Sequence, residues 1–566
     1  MNSPRLSRYF RPPRLRTREP FLEYLEKWVF LSALLGIATG VVVAIYAGIT
    51  LDLWGISSKL YVSNMWLVVP VVVSGFLLSG FLVSVSHPAV NSGIEEVVEA
   101  YHANEKMKLS SFPLKMLASV ATIASGGCTG FEANAIYAGG AAGTWLWNNL
   151  KRLKLKDDDR DILLLAGAAA GLGAVFKAPL TGIIFALEVP FKDDLAHDAV
   201  IPSLIASVSS YLTLIGIIGP TPLFNFPGLT SFTVGDIVAS ALLGAGVGLF
   251  SLAFMFLWKK LRGLLEFSHR RFYVGAFVGA AVISLAGLLE IHYLGFPYTL
   301  GVSYALIAFT TKSGVAPTTM ILLFALEMLS AGFTLRTAGV GGLFVPLAAM
   351  GASLGAFFGL IFFPARVDLF VAAGLAAFVA AGYKTPLAAV TFVAETTAGP
   401  GYLIPALVSA AVSYAISGEI SVSEAQRLTG EVDLADIGHL PVSDIMTRSV
   451  IAVSGELSLQ DFVDEYLFKF QYKSFPVVAK DGPVGTISMA NVRAVPKDRW
   501  FNTSVISACD KFVQQVYPDT TLQDALDVMY REGVGRLLVV SRANSKEVLG
   551  IVAKTDVINA VEKRRL

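Results

Sequence analysis

The feature that most limits the fold of this chain is a succession of long apolar runs interrupted by glycine and proline. The sequence of 566 residues is 54% hydrophobic and contains 51 glycines and 25 prolines. A helix that crosses a bilayer needs about 20 apolar residues, and broken helices are tolerated at that depth only where protein buries them or where they line a cavity. We therefore predict an all-α, multi-pass membrane protein of the transporter or channel type. The apolar runs are Trp28–Trp54, Met65–Val85, Leu114–Leu150, Ile162–Pro190, Val200–Gly219, Val234–Trp258, Tyr273–Leu294, Thr318–Pro364, Leu369–Thr397 and Tyr402–Ile416.

The N-terminal segment, residues 1–27, is basic. The run Trp28–Trp54 that follows it is too long for the apolar core of a cleavable signal peptide. The positive-inside rule therefore predicts a cytoplasmic N-terminus, in a protein that we expect in the cell membrane. The segment is either a disordered tail or a contact for lipid headgroups. Its arginines are Arg5, Arg8, Arg11, Arg14, Arg16 and Arg18.

The apolar region contains an internal repeat. Phe176–Glu188 recurs as Tyr383–Glu395, with an aromatic residue, lysine, proline, leucine, phenylalanine and glutamate at the same spacing. Two halves with matching interrupted segments indicate a binding site at their interface. The alternative is a pair of duplicated packing motifs with no site between them. The upstream glycines also correspond: Gly127, Gly130, Gly139 and Gly143 match Gly339, Gly342, Gly351 and Gly355.

The chain becomes polar and acidic after Ile416, which marks the end of the membrane region. A helix-like segment at Leu459–Leu467 precedes a strand-like one, and the same order returns from Leu522, about 60 residues later. We therefore predict a paired soluble α/β module. The predicted boundaries are 1–27 for the basic segment, 28–426 for the membrane domain, 427–440 for a linker, and 441–497 and 498–566 for the two copies of the module.

One acidic residue, Glu132, lies within an apolar run and directly after a glycine-rich turn. A carboxylate at the centre of a membrane helix costs roughly 2.5 kcal/mol or more, so such residues are rare and usually functional. Helix N-termini offer free N–H groups and a positive dipole end, and several that converge bind an anion without a buried cation. Such weak binding lets the anion leave again. Ser92 adds a hydroxyl donor, and we predict that Glu132 guards an anion pathway. The glycine-opened turns are Asn91–Glu95, Gly130–Asn134, Ala166–Glu188 and Gly342–Pro346.

Together these motifs resemble the CLC family of chloride channels and chloride/proton exchangers, and the tail from Pro441 resembles a pair of CBS domains. The likeness is strongest over Gly167–Gly182 and Gly341–Pro346. It implies a two-fold internally repeated bundle of broken helices followed by a cytoplasmic α/β CBS pair. It also implies a homodimer with one pore per subunit, surrounded by membrane lipid. The expected substrate is chloride or a similar small anion, and nucleic acid is not an expected partner.

The resemblance assigns roles to individual residues. Glu132 matches the gating glutamate, and Ser92 matches the central serine of the anion site. Lys115 and Val189 are expected along the pathway. No metal ligand or catalytic residue is implied. The expected anion-binding set is Ser92, Gly93, Ile94, Phe131, Glu132, Leu343, Phe344 and Ser423.

The chain also departs from the family pattern. Phe131 replaces the usual arginine before the gate, and Glu95 replaces a proline, which puts a second carboxylate near the anion site. Val189 occupies the position from which exchangers take protons from inside, as in many family channels. The tyrosine expected within Ser421–Gln426 is absent, and Ser423 is its predicted replacement. A smaller residue there predicts a more open inner path.

Several charged residues have a structural interpretation that we favour over a role in transport. Glu188 and Glu395 occupy duplicated positions, so capping or pairing within the bundle is expected rather than proton transfer. The same argument makes Lys177 and Lys384 helix-end or interfacial cations. Glu95 is expected to be a solvated residue of the cytoplasmic vestibule.

The CBS pair offers an incomplete nucleotide motif. Such pairs often bind adenine nucleotides through a serine or threonine and an aspartate three residues later. The first copy offers Ser488 and Asn491, whereas the second offers Asp556 with Ala553 at the hydroxyl position. An adenine nucleotide and a purely structural, dimer-supporting tail therefore both stay open. No cofactor is expected to be required for transport.

The leading functional prediction is passive, chloride-selective conduction in which Glu132 competes with the anion. The alternative is a proton-coupled chloride antiporter with a non-standard internal proton route, through water, Glu95 or Glu188. An enzyme is not expected, because the apolar region has no His-Glu-x-x-His motif and the whole chain has only 6 histidines. A nucleotide-sensing membrane receptor without transport is the remaining option.

Overall fold

A computed structural model of the chain separates into two compact units, Met1–Leu428 and Thr429–Leu566. The predictions for residues 1–20 and for Ser92 concern parts of the chain outside the described residues. The structure describes residues 21–86, 93–103, 107, 109–150, 155, 159–224, 226, 231–265, 272–312, 314–397, 399–429, 438, 440–448, 450–470, 472, 474–480, 482–511, 514–532, 534–544, 547–557 and 560.

The first unit is a bundle of apolar helices, as the sequence predicts. Glycine and proline end many of these helices, so that short helices stand beside long ones. The helices are α1 (Phe21–Ser63), α2 (Val68–Ser86), α3 (Gly93–Ala103), α4 (Phe112–Ala124), α5 (Glu132–Asn149), α6 (Asp159–Val175), α7 (Pro179–Glu188), α8 (Val200–Ile218), α9 (Val234–Leu265), α10 (Phe272–Leu294), α11 (Tyr304–Thr310), α12 (Pro317–Arg336), α13 (Phe344–Phe362), α14 (Val367–Tyr383), α15 (Pro386–Thr396) and α16 (Leu403–Ile416).

Within the described residues, 8 helices are long and apolar enough to cross a membrane. They are α1, α2, α8, α9, α10, α12, α13 and α14. Other apolar helices are shorter than a full span, among them α7 with 10 residues and α15 with 11. These short helices correspond to the interrupted segments of the repeat, and α7 and α15 pack against each other.

The repeated glycines occupy equivalent contacts in the two halves. A Cβ atom on Gly139 would lie 1.8 Å from the backbone oxygen of Gly167, and one on Gly351 would lie 2.2 Å from that of Gly374. These distances are far below van der Waals contact, so only glycine lets the paired helices approach this closely. The contacts join α5 to α6 and α13 to α14, which makes the repeat a structural one.

The second unit contains two small three-stranded sheets that share one topology. In each sheet the first pair of strands is parallel and the second pair is antiparallel. The strands are β1 (Val453–Ser454), β2 (Ser474–Ala479), β3 (Gly482–Ser488), β4 (Gln515–Val516), β5 (Arg536–Val540) and β6 (Val548–Ala553). Short helices complete the two copies: α17 (Leu459–Phe462), α18 (Met489–Arg493), α19 (Val505–Ala508) and α20 (Leu522–Arg531).

The two copies of the module exchange short segments. Val442, which precedes the first sheet, packs into the core around β5 and β6. Val505 and Cys509, which follow the first copy in sequence, pack into the core around β2 and β3. Each core is therefore completed by residues from the neighbouring copy, which explains why the pair forms one unit.

Candidate anion pathway

The glycine turns of the two halves meet in the middle of the bundle. The Gly130 N–H donates to the Gly342 carbonyl at 2.9 Å, and the Gly342 N–H donates to the Gly130 carbonyl at 2.8 Å. Because α5 begins at Glu132 and α13 begins at Phe344, this pairing brings two helix N-termini together. The arrangement is the convergence of positive helix ends that the sequence predicts for an anion site.

The side chain of Glu132 lies between these glycines and is fully buried. Its Oε1 atom accepts a hydrogen bond of 2.8 Å from the Phe344 N–H. Its Oε2 atom has no hydrogen-bond partner among the described residues. A Cβ on Gly342 would lie 2.1 Å from Oε1, and one on Gly130 would lie 1.8 Å from Oε2. Both glycines are thus required for the carboxyl group to occupy the N-terminus of α13.

Aromatic side chains surround this carboxyl group. The Phe131 ring makes edge contacts with Tyr46 and Tyr304, each with 6.0 Å between ring centroids. The Tyr46 hydroxyl is bonded to Ser119 at 2.6 Å and accepts from Asn134 at 3.4 Å. The replacement of arginine by Phe131 therefore leaves a packed aromatic wall beside Glu132.

Phe344, on the other side of Glu132, is fully buried within a second aromatic group. Its ring packs against Phe176, Phe185 and Phe392, and it stacks on Tyr383 at 6.4 Å. These contacts come from both copies of the repeat. They fix the start of α13, whose N–H group holds Glu132.

Glu95 lies at the start of α3, immediately after Gly93 and Ile94, which are both buried. Its Oε1 atom accepts from the Glu424 and Ala425 N–H groups at 2.8 and 2.6 Å, and its Oε2 atom accepts from the Ser423 hydroxyl at 2.6 Å. The prediction that Glu95 is an ordinary solvated residue is wrong. Its carboxylate accepts hydrogen bonds from three donors and connects α3 to the segment after α16.

That segment, residues 421–426, is also bound to the end of α14. The Val422 N–H donates to the Gly382 carbonyl at 2.9 Å. The Gln426 side chain donates to the carbonyls of Tyr383 at 2.7 Å and Val189 at 2.9 Å. The segment that contains the buried Ser423 hydroxyl is therefore hydrogen-bonded to α3, to the end of α14 and to Val189 after α7.

Sequence reasoning did not single out Tyr383, which lies near two of the acids discussed above. Its phenol lies within electrostatic range of both Glu132 and Glu95. Its ring is buried between Phe344 and Phe185. The available signal was the repeat itself, because Tyr383 is the aromatic residue that matches Phe176.

A cavity of about 580 Å³ adjoins the segment that Glu95 holds. Three basic side chains and two glutamates line it together with Ser421 and Ser423. Arg262 is paired with Glu424, which follows Ser423. A mouth lined by cations raises the local concentration of anions. The lining charges are Lys192, Lys259, Arg262, Glu419 and Glu424.

Glu188 and Glu395 cap each other's helices. Glu188, at the end of α7, accepts from the N–H groups of Leu387 and Ala388 at 3.1 and 2.9 Å. Glu395, near the end of α15, accepts from the N–H groups of Leu180 and Thr181 at 2.9 and 2.7 Å, and from the Thr181 hydroxyl at 2.8 Å. This reciprocal capping is the structural role that their duplicated positions predict.

The repeated lysines share an unusual backbone conformation. Lys177 and Lys384 have φ values of 53° and 58°, in the left-handed region, and each lies in the turn that precedes one of the reciprocally capped helices. The Lys177 ammonium donates to the Gly219 carbonyl at 3.1 Å, and that of Lys384 donates to the Ser417 hydroxyl at 2.5 Å. Both therefore act as helix-end cations.

Two further predicted pathway residues have defined surroundings. Lys115 is 2% exposed, forms an ion pair with Glu96 and lies 4.4 Å from the centroid of the Tyr137 ring. Val189 is buried, and its carbonyl is the one that Gln426 binds. Neither residue contacts Glu132 through a hydrogen bond among the described residues.

The predicted nucleotide residues of the second unit are engaged at helix starts. Asn491 accepts from the Ser488 N–H at 2.9 Å and donates to Asp510 at 2.9 Å. Asp556 accepts from the Ala553 N–H at 2.8 Å. These bonds cap the local turns.

The chain matches the family model described as voltage gated chloride channel over residues 75–418. It belongs to the CLC family. The CBS domain model matches residues 442–498 and 506–563. As a member of this family, the protein is an integral, multi-pass membrane protein of anion transport. The family consists of transporters and channels rather than enzymes.

Similar proteins include both transporters and a channel. The chain is 27% identical over 404 residues to the H(+)/Cl(-) exchange transporter ClcA of Vibrio cholerae, which covers 67% of this chain and 84% of that protein. It is 25% identical over 479 residues to a chloride/fluoride channel protein of Pseudomonas syringae pv. tomato, with coverage of 80% and 99%. The crystal structure of a eukaryotic CLC transporter matches with a TM-score of 0.58 and 19% identity, over 94% of this chain and 98% of that one.

Proposed function

We propose that this CLC protein conducts chloride passively and that Glu132 gates the conduction. The observation that carries the proposal is the hydrogen bond of 2.8 Å from the Phe344 N–H to the Glu132 carboxyl group. A free N–H at a helix N-terminus is the group that binds a small anion. The buried carboxylate therefore occupies an anion position and has to leave it before chloride enters.

Protonation of Glu132 releases the gate in this scheme. A neutral carboxylic acid is a weaker acceptor than a carboxylate, since hydrogen bonds to charged groups are worth about 1.5–3 kcal/mol against about 0.5–1.5 kcal/mol for neutral pairs. The amide of Phe344 then becomes available to chloride. Conduction should accordingly increase as the pH falls.

The inner end of the pathway supports passive conduction over exchange. Val189 is an apolar residue at the position where exchangers carry a proton-accepting glutamate. Both carboxylate oxygens of the adjacent Glu188 are committed to the amides of Leu387 and Ala388. An internal proton therefore has no acid available at this point of the chain.

Proton-coupled exchange is the second candidate, because one similar protein is an H(+)/Cl(-) exchange transporter. The two candidates differ in proton movement. We would reconstitute the full chain in liposomes and impose a chloride gradient while recording internal pH. Passive conduction predicts chloride efflux without uphill proton movement. Uphill proton transport that stops when chloride is removed would establish exchange instead.

A homodimer with one pathway in each subunit is part of the proposal. Apolar side chains remain exposed in the single subunit on α7, α8, α15 and α16, and a second copy would cover them. Mass measurement of the full chain in detergent tests this expectation, and a monomer would contradict it. The exposed residues include Leu180, Leu204, Leu212, Leu387 and Leu407.

We further propose that the N-terminus and the CBS pair lie in the cytoplasm. Protease accessibility in sealed right-side-out vesicles tests the orientation. Whether the CBS pair takes an adenine nucleotide is a separate question, tested by equilibrium binding of ATP to the full chain. Saturable binding that Asp556→Ala abolishes would establish a nucleotide site; a wild type that binds no ATP would leave a purely structural tail.

A further inference from the structure

Arg336 and Trp258 form a stacked pair close to the segment that Glu95 holds. Arg336 is the last residue of α12, and Trp258 lies on α9. The central guanidinium carbon of Arg336 lies 3.7 Å from the centroid of the indole ring, which is a cation–π contact. The side chain of Arg336 is 17% exposed, and Trp258 is 9% exposed. The pair is therefore largely withdrawn from water.

Each member of this pair has a buried N–H group without a hydrogen-bond partner among the described residues. The two atoms are Nε of Arg336 and Nε1 of Trp258. Both groups can only donate, so neither can satisfy the other. Buried polar groups without a partner are rare and call for a specific role. Two such donors, one of them on a cation, are the groups that an anion requires of its binding site.

The charged groups around Arg336 come from α3, from α9 and from the segment after α16. Glu424 places its Oε1 atom 4.0 Å from Nη2 of Arg336, which is too far for a hydrogen bond. Arg262 and Glu95 are within electrostatic range of Arg336. Glu95 already accepts from three donors of the segment Ser423–Ala425. Glu424 is therefore the acid that is ion-paired with the two arginines.

The ion pair between Glu424 and Arg262 is exposed and easily broken. Their side chains are 43% and 50% exposed. Exposed ion pairs contribute only about 0–1 kcal/mol, so a dissolved anion can replace the carboxylate. Arg262, Ser423 and Glu424 also line the cavity of about 580 Å³. An anion that enters this cavity therefore reaches the carboxylate beside Arg336.

We propose that Arg336 and Trp258 bind chloride at the inner end of the pathway, with the Glu424 carboxylate as its competitor. Chloride takes the place of that carboxylate beside Arg336 and accepts from the two free N–H groups. The site differs from the position at Glu132, where a backbone N–H group is the donor. A guanidinium is weakly hydrated and stays charged, so it suits a binding site that water only partly reaches. The inference rests on the proposed function because chloride is the conducted anion, but it does not require gating by Glu132.

The test is the chloride affinity of the full chain, measured by calorimetric titration in detergent and by efflux from liposomes at a series of chloride concentrations. Trp258→Phe keeps an aromatic ring against Arg336 and removes only the N–H group. We expect its half-saturating chloride concentration to rise about fivefold, which corresponds to one neutral hydrogen bond of about 1 kcal/mol. Arg336→Gln also removes the charge and should raise that concentration about tenfold or more.

Two further variants separate a binding site from a general attraction of anions. Lys192→Gln is the matched control, because it removes a positive charge from the same cavity wall and leaves both donors in place. Salt screens exposed charges, so the half-saturating concentration should change less than about twofold. Glu424→Gln removes the competing carboxylate and should lower that concentration.

The outcomes distinguish this site from the proposed function. An unchanged chloride affinity in Trp258→Phe and Arg336→Gln would overturn the site, and so would equal losses in Lys192→Gln and Arg336→Gln. Uphill proton transport, or pH-dependent efflux in Glu132→Gln, would overturn passive conduction or the gate, whereas the titration in detergent would still report on the site. If Arg336→Gln fails to fold, Trp258→Phe and Glu424→Gln decide. Opposite shifts in these two variants support the site, and no shift in either contradicts it.

Discussion

The glycines that pack the scaffold make the same contact in each half, whereas the two equivalent glycines beside Glu132 do not. A Cβ on Gly127 would meet Thr122, and one on Gly339 would meet the equivalent Thr334, so each half repeats the same contact. Gly130 and Gly342 are also equivalent by sequence, but both face one residue, Glu132. The duplication is preserved at Gly127 and Gly339, which pack the scaffold, and is broken at Gly130 and Gly342, beside the proposed gate. The departure from internal symmetry supports the proposal that Glu132 is the gate.

The acids of the bundle show the same contrast. Glu188 and Glu395 each have both oxygens satisfied by the partner helix. Glu132 has one oxygen bonded to a single amide. A fully satisfied carboxylate is held in place, whereas a half-satisfied one is able to move. The difference supports a structural role for Glu188 and Glu395 and the proposed gating role for Glu132.

The largest effect on anion flux is expected for Glu132→Gln. The variant replaces a charge-assisted bond by a neutral one, and a difference of about 1.5 kcal/mol corresponds to roughly a tenfold rise in chloride efflux. The pH dependence of efflux should disappear at the same time. Efflux from liposomes at high and low pH measures both. Unchanged, pH-dependent efflux would remove Glu132 from the gate.

A smaller increase is expected for Gly342→Ala, which displaces the gate without removing it. The new Cβ would lie 2.1 Å from Oε1 of Glu132, so the flexible side chain has to leave the Phe344 amide. Gly341→Ala is the matched control, because its Cβ would meet the Thr129 hydroxyl at 2.3 Å rather than Glu132. The same efflux assay should show a rise for Gly342→Ala alone. Equal effects of the two variants would indicate general damage to the loop.

A still smaller change is expected at the inner end of the pathway for Glu95→Gln. Glutamine weakens the bonds to the segment that contains Ser423 and removes a negative charge from the anion's path. A loss of about 1 kcal/mol corresponds to roughly a fivefold rise in efflux. Ser423→Ala, which keeps the charge and loses one of the three donors, should change efflux less. The reverse order of these two variants would show that the hydroxyl, rather than the carboxylate, controls the inner end.

No change in the pH profile of flux is expected for Glu188→Ala and Glu395→Ala. Each variant leaves helix N–H groups without their acceptor, so the protein should lose about 1.5–3 kcal/mol of stability. Thermal unfolding in detergent should show similar losses for the two, since the caps are reciprocal, and glutamine should restore part of each. A selective change of the pH profile in Glu188→Ala would return Glu188 to the proton pathway.

Much of the architecture was predictable. The hydropathy pattern shows which segments are buried, and the interruptions of the repeat show where the chain turns. The broken helices, the two halves and the paired α/β tail all follow from local patterns. Glu132 could be predicted because a carboxylate within an apolar run is costly to place at membrane depth. Glu327, in the run Thr318–Pro364, meets the same criterion and is also fully buried on α12.

Other site residues depend on contacts between distant parts of the chain. The local sequence suggests that Glu95 is solvated, because its hydrogen-bond donors lie more than 300 residues further along the chain. They are Ser423, Glu424 and Ala425. Tyr383 reads as one aromatic residue of a repeat, and only the fold places it between two acids. Neither the contact of α3 with residues 423–425 nor the stacking of Tyr383 on Phe344 can be recognised from the local sequence.

The reciprocal contacts between the halves have a consequence for the origin of the chain. Thr122 accepts from the Val340 N–H at 3.1 Å, and Thr334 accepts from the Cys128 N–H at 3.0 Å, just as Glu188 and Glu395 cap each other's helices. A half-length ancestor with this pattern would leave all of these groups unsatisfied on its own. Association with a second copy would complete them. Gene fusion would then have made an obligate pair covalent, and only afterwards could one copy of the glycine turn specialise around an acid that the other lacks.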